Sequence, residues 1–213
     1  MIAIKHKDSG EIIFKDEAVD NYRELVLDNL NLHGADLVGL DLSGVSMRNC
    51  NLTEADCRFC NFSNANLTGG SLMNANCVEA VFQDAQLNDC HMEQADFTGA
   101  RFDRAKLRHC KINRAQLESV VLNHADCSFS EMQCEMRHAS FQYANLFGVN
   151  FTKADLSFCD LRHSNMNSAI INGATFAHCK LEGSVTACGK VFRAHKSTTA
   201  PNRKWWEIWK TVN

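Results

Sequence analysis

From Leu30 onward the large apolar positions of the chain recur every five residues. Divided into fives, the sequence reads LNLHG ADLVG LDLSG VSMRN CNLTE ADCRF CNFSN ANLTG GSLMN ANCVE AVFQD AQLND. The third residue of each group, position i, is large and apolar: Leu32, Leu37, Leu42, Met47, Leu52, Cys57, Phe62 and every fifth residue to Met132. Position i−2 is small, most often alanine. The series slips once, at Ser130–Gln133, which supplies four residues instead of five. It restarts with i at Met136, Phe141, Leu146 and Phe151, runs on to Leu181, and ends weakly at Thr186 and Val191.

A period of five matches neither a helix nor plain strand alternation. It matches a short extended segment followed by a bend. Positions i−2 and i are two apart and share one face of an extended segment, while i−1 points the other way. The step to the next i−2 must turn at i+1 and i+2, which hold Gly, Asn, Ser, Asp and Thr, residues suited to turns. Each group therefore supplies one wall and one corner of a coil.

The groups ADLVG, ANLTG, ADFTG and ADLSF follow the consensus A-[D/N]-L-x-x, and the chain resembles the pentapeptide-repeat family over about residues 30–191. The resemblance implies an all-β fold, a right-handed quadrilateral parallel β-helix with four repeats per coil. About eight coils rising about 4.8 Å each would make a rod roughly 40 Å long. Residues 20 apart should stack, or 19 apart across the slip.

Two ends flank this rod. Residues 2–15, IAIKHKDSGEIIFK, predict a β-hairpin around Asp8-Ser9-Gly10. Residues 16–29 predict a short helix with Asp16 as N-cap, so that 1–29 form an N-terminal cap of hairpin plus helix. Residues 192–213 predict a polar linker and a short helix, KWWEIWKTV. Its Trp205, Trp206 and Trp209 share one face and either cover the last coil or form a homodimer interface.

Composition changes the picture at one point: there are eleven cysteines. Cys57-Arg58-Phe59-Cys60 has the C-x-x-C spacing of redox and zinc sites. The period explains it otherwise. Cys57 is an i residue and Cys60 the next i−2, so both point inward as small hydrophobes. Cys50, Cys90, Cys110, Cys134, Cys159 and Cys179 also occupy i−2, Cys77 and Cys127 occupy i, and Cys188 falls at a corner. Neither metal nor cofactor is expected.

Function is left to the outside positions. One column of i−1 residues reads Asp36, Asp56, Asn76, Asp96, Gln116, Glu135, Asp155, Thr175, an acidic wall without a base. Some pentapeptide-repeat members act as DNA mimics that bind type II topoisomerases such as gyrase, so the resemblance implies this wall as a partner site. A bracing role in the turns is the alternative. A basic group, Arg101, Arg104, Lys106, Arg108, Lys111 and Arg114, is scattered over several walls. Corner columns read Arg104, His124, Tyr143, His163, then His138, Phe158, His178, with His109 and Phe129 in a third. They form either self-supporting ring ladders or a partner patch.

The net charge of −3 demands neither nucleic acid nor membrane as partner. The N-terminus lacks the order of a signal peptide, and a cytoplasmic location is expected. No G-x-S-x-G, phosphate loop or H-E-x-x-H occurs. The expectation is a non-enzymatic scaffold for protein–protein interaction. The alternatives are a DNA-mimic modulator of type II topoisomerase and a bacterial effector that binds host proteins.

Overall fold

Leu25, Val26 and Leu27 show how a coil is built. Leu25 and Leu27 are buried, while Val26 between them is 71% exposed. This inside–outside–inside alternation repeats along the computed structural model, whose described residues are 1–192. Each wall residue pairs in parallel with its counterpart one coil on, as in Asp36↔Asp56 and Asp41↔Asn61. Four columns result. Wall 1 runs from Asp36 to Thr175, wall 2 from Asp41 to Lys180, wall 3 from Val26 to Val185, and wall 4 from Asn31 to Ile170. Wall 3 carries nine rungs and thus eight intervals. The architecture is the four-walled parallel β-helix that the resemblance to the pentapeptide-repeat family implies.

Backbone hydrogen bonds tie each coil to the next. Leu32 N–H donates to Asn51 O at 2.8 Å, and Asn51 N–H returns to Leu30 O at 2.9 Å. At the following corner Gly34 N–H donates to Thr53 O, and Ala35 N–H closes a turn onto Leu32 O. The third residue of these turns has positive φ. Glycine adopts this freely, but among the described residues 23 others adopt it too, including Phe59, Phe129, Tyr143 and Phe158. Inside, the i side chains fill the coil. Phe62, Phe82 and Phe102 stack at centroid distances of 5.0 and 4.6 Å, with Phe97 edge-on to the last two.

The slip lies where the spacing places it. Pairing changes from 20 residues to 19 at Gln116↔Glu135 and returns to 20 at Glu135↔Asp155. Met132, Cys134 and Met136 remain buried, so the missing residue comes out of the corner and the core is unbroken.

The hairpin is present as β1 (Ile2–His6) and β2 (Ile12–Asp16), paired antiparallel. β1 also pairs with β3 (Ala35–Asp36) and so covers the exposed edge of wall 1 on the first coil. The helix expected over 16–29 is not formed. That segment contains one 3-10 turn, Tyr22–Glu24, whose N-cap is Asn21. Asp16 accepts a hydrogen bond from Ala18 N–H instead of capping a helix. The reason is packing: a helix would turn Leu25 and Leu27 to different faces, whereas an extended segment buries both. The repeat thus begins one group earlier, with Leu27 at position i.

At the far end Thr186 is buried as an i residue, but Val191 is not. The chain reverses, Val191 pairs antiparallel with Val185, and Phe192 N–H donates to Ser184 O. The helix expected to carry Trp205, Trp206 and Trp209 falls outside the described residues.

Candidate interaction surface

The C-x-x-C pair is interior. Cys57 and Cys60 are fully buried, and all eleven cysteines are free thiols. Cysteine at i−2 has a specific use. Cys60, Cys90, Cys110, Cys159 and Cys179 each direct Sγ to a carbonyl on the preceding coil, as Cys60 does to Leu37 O at 2.7 Å. Burial pushes the thiols of Cys50, Cys90, Cys134 and Cys179 up to about 12, and it raises those of Cys110, Cys127 and Cys159 as well. Such thiols are poor nucleophiles. Cys188, at an exposed corner, is shifted down instead by the Thr186 hydroxyl beside it.

The acidic wall is largely spoken for. Asp and Asn at i−1 accept hydrogen bonds from the N–H two residues on, as in Asp36 to Val38, Asp96 to Thr98 and Asp155 to Ser157. These are Asx turns that brace the corner. Arg58 donates twice to Asp56, at 2.8 and 2.7 Å, and holds its carboxyl below the usual range. Arg137 reaches Asp155 at 2.6 Å. The basic group is likewise paired in part: Arg101 with Asp103, Arg104 with Asp84, and Arg108 with Asp126. The sequence carried a signal for part of this, since D-x-R at i−1 and i+1 (Asp56/Arg58, Asp160/Arg162) puts both ends on the same side of the chain.

The corner rings come together. His124, Tyr143 and His163 stack with centroids 4.9 and 4.8 Å apart. His138, Phe158 and His178 stack at 5.0 and 4.9 Å. His109 stacks on Phe129, which meets Phe147 edge-on. The spacing does not reveal at first sight that two ladders border the same wall. His138 and Tyr143 flank Ser140, and Phe158 and His163 flank Asp160. Wall 2 in the C-terminal half is therefore a strip framed by two columns of rings. Tyr143 is 53% and Phe158 51% exposed.

Comparison with known proteins finds pentapeptide repeat proteins. A search of curated proteins returned no match. Among solved structures, HetL, a pentapeptide repeat protein involved in heterocyst differentiation regulation in the cyanobacterium Nostoc sp., is 22% identical. That match covers 79% of this chain and 92% of HetL, with a TM-score of 0.38. QnrB1, a plasmid-mediated fluoroquinolone resistance protein, is 24% identical over 70% of this chain and 67% of its own, with a TM-score of 0.33. A pentapeptide repeat protein of the Arabidopsis thaliana thylakoid lumen is 24% identical over 57% and 68%, with a TM-score of 0.23. The model of the pentapeptide repeat region matches residues 40–122, and that of pentapeptide repeats matches 110–152 and 150–185. With the five-residue period, the stacked walls and these family matches together spanning most of the coil, the chain belongs to the pentapeptide repeat family.

Proposed function

We propose that this rod is a non-enzymatic scaffold that binds a protein partner through the ring-framed strip of wall 2. One observation carries the proposal. Tyr143 and Phe158 are half-exposed aromatics held at positive φ, a strained conformation for bulky residues. Earlier corners of the same two columns include Phe59 but also Gly39, Gly44, Asn64 and Gly99, so the fold does not require rings there. Strain retained at an exposed position points to use. Rings with polar residues between them are also the composition favoured in protein interfaces.

DNA mimicry by the acidic wall is the second reading, with a type II topoisomerase as partner. It is less well supported, because Asp56 and Asp155 are neutralised by arginines and the wall's aspartates brace turns. The two readings separate in one experiment. Partner retention by the immobilised protein should be lost with Tyr143→Ala/Phe158→Ala and kept with Asp56→Asn/Asp96→Asn at low and high salt. Retention that disappears with the carboxylate variant or with salt, and survives the aromatic variant, would contradict the proposal and send the search to gyrase supercoiling.

A further inference from the structure

The register slip removes one residue from the corner that follows wall 4. In that column the positive-φ residues run Glu54, Asn74, Gln94, Arg114, then none at Gln133, then Lys153 and Gly173. The missing residue leaves a notch of about 270 Å³ lined by Asn113, Arg114, Gln133, Thr152 and Lys153. Arg114 and Lys153 stand two coils apart, about 9.6 Å along the axis by the coil spacing, on either side of the gap.

One charge there is unusual for this molecule. Of the nine arginines among the described residues, eight lie 3.9 Å or closer to an aspartate carboxylate. Arg114 is the exception. Among the described residues neither the Arg114 guanidinium, nor the Lys153 ammonium, nor the Gln133 side-chain amide has a hydrogen-bond or ion-pair partner. The other two lining side chains are engaged. Asn113 donates to Glu131 Oε2 at 2.6 Å and accepts from Gln133 N–H at 3.2 Å. Thr152 Oγ1 donates to Asn150 Oδ1 at 2.6 Å. Glu131 is the acid beside the notch, and it is held by Asn113. Two cations and an amide donor thus remain unspent around a gap wide enough for a small oxyanion.

We propose that this notch binds a phosphate group, with Arg114 and Lys153 as its charge partners and Gln133 as a neutral donor. A guanidinium fork on one side and an ammonium point charge on the other suit a tetrahedral oxyanion. The group is either the free ion or a phosphoryl group carried on a peptide.

The test follows backbone amide resonances while the full chain is titrated with inorganic phosphate, with sodium chloride at matched ionic strength as control. Saturable shifts at Arg114, Gln133 and Lys153 are expected with phosphate and not with chloride. Arg114→Gln/Lys153→Gln should weaken binding by about tenfold or more. A glycine inserted after Gln133 restores the five-residue corner and leaves both cations in place; it should abolish the saturable shifts while the chain stays folded. A phosphoserine peptide that binds more tightly than free phosphate assigns the site to a carried group, and equal affinity assigns it to the free ion. Shifts that fail to saturate, that chloride reproduces, or that persist in the insertion variant overturn the proposal.

Discussion

Single residues in this protein are placed by a five-residue rule, and their chemistry follows from where the rule puts them. Cysteines inside the coil are shielded, and Cys188 is exposed with its thiol shifted down. In the native protein one fast-reacting thiol per chain is expected with a water-soluble thiol reagent, and eleven after denaturation. Rapid native labelling of Cys57 or Cys60 would refute their interior placement. Phe82 contacts Phe62, Phe97 and Phe102, so Phe82→Ala should cost about 3–5 kcal/mol in a urea unfolding experiment. Gly183 is needed for two reasons, a φ of +72° and the His163 ring, which a Cβ would meet at 2.3 Å. Gly183→Ala should lower stability by more than about 1 kcal/mol and disturb the end of the His124–Tyr143–His163 ladder.

Among the elements, periodicity made the walls, the slip and the hairpin legible. It placed Leu32, Leu37 and their successors to Phe151 inside and put the slip at Ser130–Gln133, as found. The helix over 16–29 was misleading for a physical reason. VDNYRELVLDN has helical composition, but Leu25 and Leu27 complete a coil, and burying both outweighs local propensity. The turn back at Val191 was hidden because Val191 keeps the period while the backbone reverses. The first coil also carries a pH dependence. Asp28 and Asp41 are held down to about 2, Asp28 by hydrogen bonds from Arg48 and Asp41 by those from Arg23. Their unfolded values lie near 3.8, so between these limits the unfolded chain binds more protons. Their stabilising contribution is complete above about pH 4 and is lost as pH falls through about 2. Thermal melts should therefore be flat from neutral pH to about pH 5 and fall below about pH 4, and Arg48→Gln should flatten that fall.

For the molecule as a whole, the coil is a filled rod that presents four walls and four corners. The function readable from sequence stopped at a set of outside columns. Whether a column is free depends on pairing across coils, such as Arg137 with Asp155 and Arg104 with Asp84, which a period alone does not show. Folding the columns into place moved the weight from the acidic wall to wall 2, where the rings of His138, Phe158, His178, His124, Tyr143 and His163 border one strip. The reading stands or falls on that strip being the contact face. Site-specific photocrosslinking from Ser140, in the middle of the strip, compared with Asn76 on the acidic wall, distinguishes the two faces. A discrete protein adduct from Ser140 that is lost with Tyr143→Ala/Phe158→Ala is expected. An adduct formed from Asn76 alone, and abolished by salt, would place the contact on the acidic wall and refute the assignment to wall 2.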